Sequence, residues 1–184
     1  MNISAPRSFA VLFLLLGCAW VIAFAGLASS GDPKAPLHKP DPFPLLKEER
    51  LGDLRLDMTE QEVRAKIPGK PKKGREEYDA AIADFVQKWD YPAGGVSLDM
   101  SSAAKGGKKT ILAILIKSPS LLKTKRGIGI GSTEQEVAAA YGDCQDKEMS
   151  ETGRSFVAGS IYGGLIFSFE KGRVTSIFLG AGAE

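Results

Sequence analysis

The pentapeptide Thr59-Glu60-Gln61-Glu62-Val63 occurs again, letter for letter, as Thr133-Glu134-Gln135-Glu136-Val137. Thr-x-x-Glu ahead of an apolar residue is a capping box. The Thr hydroxyl accepts from the backbone amide three residues on, and the Glu carboxylate returns to the amide of the Thr. A short helix is therefore predicted at each copy. The second presents Val137, Ala140 and Tyr141 to one face and stops at Gly142. The first uses Val63 and Ile67 and ends at Pro68-Gly69.

Outward from the helices the similarity continues in the same order. Phe85-Val86 with Tyr91-Pro92-Ala93-Gly94 returns as Phe156-Val157 with Tyr162-Gly163-Gly164, and Ile111-Leu112-Ala113-Ile114 returns loosely as Val174-Thr175-Ser176-Ile177. Three strands are predicted after each helix, over 82–91, 94–100 and 110–117 and over 154–162, 164–170 and 173–180. Gly106-Gly107 and Lys171-Gly172 are the hairpin turns. One such unit has little apolar surface to bury for its length. The expected fold is therefore α+β: two tandem helix–βββ repeats, 53–120 and 121–184, forming a curved six-stranded antiparallel sheet with short helices packed on one face.

Upstream of the repeats, residues 8–28 (SFAVLFLLLGCAWVIAFAGLA) carry no charge and follow a single cation, Arg7. This reads as an export leader over 1–28. Small-residue sites at Ala23-Phe24-Ala25 and Gly26-Leu27-Ala28 suit a cleaved signal peptide, the length suits an uncleaved membrane anchor, and Leu15-Leu16-Gly17-Cys18 resembles a lipobox that would be acylated at Cys18. All three readings place the remainder outside the cytoplasm, in the periplasm or cell envelope. Residues 29–52 hold five of the ten prolines, between Pro33 and Pro44. An extended, polyproline-like linker is expected there, with His38 solvated and without ligands near it.

Composition removes several function classes. The 184 residues include one His and two Cys, so structural zinc, a disulfide framework and most His-based catalysis lack raw material. No cofactor or metal is expected. Gly127-Ile128-Gly129-Ile130-Gly131 lacks the spacing of a dinucleotide fingerprint, and Gly106-Gly107-Lys108-Lys109-Thr110 departs from the phosphate-loop pattern. Both read as turns. Cys144 lies near Asp143 and Asp146, carboxylates that oppose a reactive thiolate. Carboxylates are plentiful, but none forms an evident acid–base couple.

Lys+Arg number 24 and Asp+Glu 22, a net +2 that hides a division. Residues 64–126 hold 14 cations against 6 acids, and residues 127–184 hold 4 against 8. A basic first repeat could steer an acidic protein or an anionic membrane surface onto itself, with Lys70, Lys72, Lys73 and Arg75 as the candidate contacts. Nucleic acid is not expected, because the chain is exported and no aromatic is interleaved with these cations.

The stretch Leu56-Asp57-Met58-Thr59-Glu60-Gln61-Glu62-Val63 and its partner from Ile130 to Val137, closed by Tyr141-Gly142, resemble the helix signature of the SmpA/OmlA and β-lactamase-inhibitor-protein-like superfamily. Trp89-Asp90-Tyr91 and residues 167–177 resemble its strands. The resemblance implies a small, envelope-facing, non-catalytic protein that works by protein–protein contact, as an assembly accessory or an inhibitor. It supplies no interface residue. Trp89 and Tyr91, near a strand end, are the candidate partner anchors, with a place in the core as the competing reading. The expected function is an exported, envelope-associated protein-binding module rather than an enzyme. The alternative is a small-ligand or lipid-binding protein, or a hydrolase, using the concave sheet face.

Overall fold

A computed structural model describes residues 44–181. Residues 1–43, with the predicted leader, Cys18, His38 and most of the expected linker, lie outside the described residues, as do residues 182–184.

Among the described residues there are three α-helices: α1 (Pro44–Glu48), α2 (Glu60–Lys66) and α3 (Glu134–Tyr141). Both capping boxes are formed. The Thr59 amide donates to Glu62 Oε2 at 2.7 Å and the Glu62 amide to Thr59 Oγ1 at 3.3 Å; the corresponding distances at Thr133 and Glu136 are 2.7 and 3.2 Å. Helices of two turns are marginal on propensity alone, so the caps contribute a large share of local order. Replacing Thr133 with Ala should lower global stability by about 1 kcal/mol, read as a shift of the urea midpoint, and Thr133→Ser should restore most of it.

Eight strands follow: β1 (Lys72–Asp79), β2 (Asp84–Tyr91), β3 (Val96–Ser102), β4 (Thr110–Lys117), β5 (Gln145–Glu151), β6 (Ser155–Ser160), β7 (Gly163–Glu170) and β8 (Arg173–Gly180). They make one antiparallel sheet in the order β1-β2-β3-β4-β8-β7-β6-β5. The α+β class is as expected, but the strand count is not. Each capped helix is followed by four strands rather than three, so the sheet has eight strands rather than six. The additions, β1 and β5, are the two edges.

Register shows how the sheet is used. Trp89, Leu98, Ile114, Leu179, Leu165 and Ala158 stand side by side across six strands, and every one is fully buried. Val63 of α2 and Val137 and Tyr141 of α3 belong to the same buried cluster. The Tyr141 ring lies 5.3 Å from that of Phe167. The helices thus cover one face of the sheet, as an antiparallel sheet with a single core requires.

The chain joins this core earlier than the expected linker allows. Leu51 is fully buried and Glu49 is 2% exposed. Glu49 Oε2 accepts from the Tyr141 hydroxyl at 2.8 Å, and its Oε1 from the amides of Lys125 at 2.6 Å and Arg50 at 3.0 Å. The Gly52 amide donates to the Lys123 carbonyl at 2.7 Å. Residues 44–52 are therefore packed rather than extended, because Leu45, Leu46 and Leu51 bring apolar surface that the prolines before them lack.

The long β3–β4 connection is tied to the β1 edge by a buried ion pair. Lys109, 7% exposed, places Nζ 2.6 Å from Glu76 Oε1, and Glu76 Oε2 accepts from the Gly106 amide at 2.9 Å. The hydrogen bond from Lys109 holds the Glu76 carboxyl below the ordinary glutamate range, and the Gly106 amide adds to this. A carboxylate depressed in the folded state stabilises at neutral pH. That contribution is lost as the pH falls below about 4, through the folded-state value. Urea titrations across this range should show Lys109→Met less stable than the parent near pH 7, with the gap closing on acidification.

Candidate functional site

The face opposite the helices is the candidate site. One residue from each strand forms a continuous row there: Lys72, Asp90, Ser97, Leu115, Phe178, Ile166, Val157 and Asp146. The row is polar at its β1 end, apolar over its middle and acidic at its β5 end. Leu115, Phe178 and Ile166 are half-buried, although no described element packs on this side.

The rows on either side explain why these three remain reachable. Toward one end of the strands lie Lys117, Ser176, Ser168 and Ser155. Toward the other lie Lys88, Asp99 and Ala113, then Gly180, Gly164 and Gly159. Ser, Ala and Gly barely rise above the backbone, so Leu115, Phe178 and Ile166 form a low apolar ridge between two shallow troughs. Gly164 has a steric reason to be glycine, since a Cβ there would run into the Ala158 carbonyl. A hollow of about 600 Å³, open to solvent, is lined by Leu115, Lys117, Ile166, Ser168, Ser176 and Phe178 among others.

Charge on this face is unevenly satisfied. Asp90 accepts from the Ser97 hydroxyl at 2.6 Å, and Asp99 lies 3.8 Å from Lys88 Nζ. Burial pushes the Asp99 carboxyl above its ordinary range; Lys88 offsets part of this and Asp90 adds to it. Lys72 and Lys117 are exposed, and their ammonium groups have no hydrogen-bond or ion-pair partner among the described residues. Asp146, at the far end, is engaged with its own turn and accepts from the amides of Glu148 and Met149.

The residues singled out from sequence fall in different places. Trp89 and Tyr91 are not surface anchors. Strand alternation puts both on the helix-covered face, with Trp89 fully buried and Tyr91 4% exposed. Trp89 Nε1 donates to Gln87 Oε1 at 2.9 Å, and Lys73 Nζ sits 3.8 Å from the Trp89 ring centroid, with Arg64 also over the ring. Lys73 and Arg64 both pair with Glu60. Lys73 therefore belongs to the packing over Trp89, while its neighbour Lys72 points to the open face. Arg75 lines a hollow with Val86, Lys88 and Asp99 on that open face, and Lys70 is exposed ahead of β1. The four cations are split between faces rather than gathered in one patch.

The Tyr91 hydroxyl is buried with no hydrogen-bond partner among the described residues. A buried donor left unmade is costly, and removing it at constant shape can be neutral or stabilising. Tyr91→Phe should hold or raise the thermal midpoint, whereas an ordinary buried Tyr→Phe change lowers it.

The glycine run 127–131 has no amide cradle to offer. The amides of Gly127, Ile128, Gly129 and Gly131 are taken by Thr124 O, Thr124 Oγ1, Ser132 Oγ and Val174 O. Cys144 is a half-buried free thiol whose pKa burial pushes up, with Asp143 adding to the effect. Among the described residues no group of three His, Cys, Asp or Glu is arranged to hold a metal ion, and no helix is long and apolar enough to cross a membrane. Leu115, Lys117, Ile166 and Phe178 escaped the sequence reading because they become neighbours only through the β4–β8 and β7–β8 pairings. No family model, curated protein or solved structure matches the chain.

Proposed function

We propose that this chain is an exported, envelope-tethered protein-binding module, built from two copies of one helix-plus-four-strand unit and working through the open face of its sheet. The observation that carries the reading is the uncovered ridge Leu115–Phe178–Ile166, apolar side chains of the kind a partner covers. They stand on an eight-stranded sheet, bordered by Ser97 beside Leu115 and by Lys117, Ser176 and Ser168 along one flank. Interfaces with an apolar centre and a polar rim are the usual form for specific association. The hollows on this face are open and shallow, which suits a protein surface better than an enclosed small ligand. Support for two copies comes from the identical capped pentapeptides, the same order of elements after each, and their junction at the centre of the sheet, β4 against β8. Support for export and tethering comes from the uncharged stretch 8–28 and the proline-rich segment after it. The superfamily resemblance of residues 56–63 and 130–142 points the same way.

The test is site-specific photo-crosslinking in cells that make the full chain. A photoreactive residue at position 166 or 115 should give discrete adducts with envelope proteins, and one at Gln61, exposed on α2, should not. Protease added outside the inner membrane should reach the domain. Absence of adducts from both open-face positions, or a domain protected inside the cytoplasm, refutes the reading.

A further inference from the structure

The open face carries a charge preference as well as an apolar ridge. Lys72 and Lys117 line one hollow of about 470 Å³ together with Asp90, Pro92, Ser97 and Leu115. Within it Asp90, the cross-strand partner of Lys72, accepts from the Ser97 hydroxyl at 2.6 Å and offsets one ammonium charge, so the hollow keeps a net charge of one cation. Lys117 also borders the second hollow, with Ile166, Ser176 and Phe178. A single cation thus joins the cationic hollow to the ridge, and the ridge starts at Leu115, which lines both.

We infer that the face takes an acidic segment of a partner protein, with a carboxylate seated between Lys72 and Lys117 and an adjacent bulky apolar side chain against Leu115, Phe178 and Ile166. The inference rests on the reading of this face as protein-binding and adds the chemistry of what binds. Charge complementarity selects the occupant. A basic segment would place its cations against a hollow that already carries a net positive charge, and an uncharged apolar one would desolvate two ammonium groups with only Asp90 to offset them. The troughs of Ser, Ala and Gly beside the ridge leave room for the apolar side chain to lie against its flank. The second half of the face carries no cation among the residues of its three rows, so the preference is directional, with acid toward β1 and β4 and apolar toward β7.

The experiment is panning of a random dodecapeptide display library against the full chain in detergent micelles, in parallel with Lys117→Glu and Ile166→Glu. Both are surface changes, and thermal melts confirm that each variant is folded. On the parent, recovered peptides should combine Asp or Glu with a neighbouring Phe, Leu, Trp or Ile. A synthetic representative should bind about tenfold or more weakly to Lys117→Glu, the scale of one charge interaction, and should weaken as salt is raised. Ile166→Glu should abolish its binding. Face-dependent peptides that are uncharged or basic would overturn the acidic chemistry and leave the open-face reading standing. Acidic peptides that bind both variants like the parent would overturn the site itself. If no recovered peptide depends on Lys117 or Ile166, both readings fall.

Discussion

A chain that starts at Asp53, where the repeat boundary was expected, should lose most of its stability and unfold without a sharp urea transition. One that starts at Asp41 should keep it. The difference is residues 44–52. Removing fully buried Leu51 alone is comparable to a Leu→Ala core change, about 2–5 kcal/mol. Losing Glu49 strands the buried Tyr141 hydroxyl, a donor that costs about 1–3 kcal/mol when left unmade, and also frees the part-buried Lys125 amide. Together these approach the whole stability of a small domain, about 5–15 kcal/mol. A double-mutant cycle separates the parts. Glu49→Ala and Tyr141→Phe should each destabilise, and the pair by less than the sum, because they share one hydrogen bond. Strict additivity would mean that the 2.8 Å contact is not what fastens the segment.

Trp89→Ala should cost about 4 kcal/mol, moving the urea midpoint by roughly 2 M for a domain of this size. Trp89 is the largest fully buried side chain of the sheet. Its loss also removes the platform on which Lys73 and Arg64 sit, leaving two cations and Glu60 over an empty site. Trp89→Phe keeps the ring and should retain most of the stability, losing chiefly the Gln87 hydrogen bond. Neither change touches the open face, so peptide binding by the folded fraction should be unaltered. A loss of binding by folded Trp89→Phe would return Trp89 to the candidate interface.

Helices α2 and α3 and six of the strands were legible because their signals are local, whereas α1 lies in the stretch expected to be an extended linker. Capping boxes are spelled out in four consecutive letters, and alternation marks strands such as β7, where Leu165, Phe167 and Phe169 point inward. The Lys171-Gly172 turn is equally explicit, and both residues adopt positive φ. The edge strands were not legible. In β1 six of eight residues are charged, KKGREEYD, and β5 reads QDKEMSE. With no face buried, neither carries a period-two apolar pattern. The placement of Trp89 turned on register. The residue next to it in sequence, Asp90, lies on the open face, and composition near a strand end does not say which face is which. The open-face ridge is less legible still, since Leu115, Ile166 and Phe178 come from three strands in different parts of the chain.

The even number of alternating strands carries a hazard that the edges counter. Because β1 and β5 run in opposite directions, a copy shifted sideways by one sheet width would present its β5 antiparallel to β1. The contact would repeat without closing, the geometry of a fibre. Both outer strands break their pairing register, β1 between Lys73 and Glu76 and β5 between Asp146 and Glu151. Both are also dense in charge. A bulged, charged rim is a poor template for an incoming strand, so the polarity that hid these strands from view also works against edge-to-edge growth.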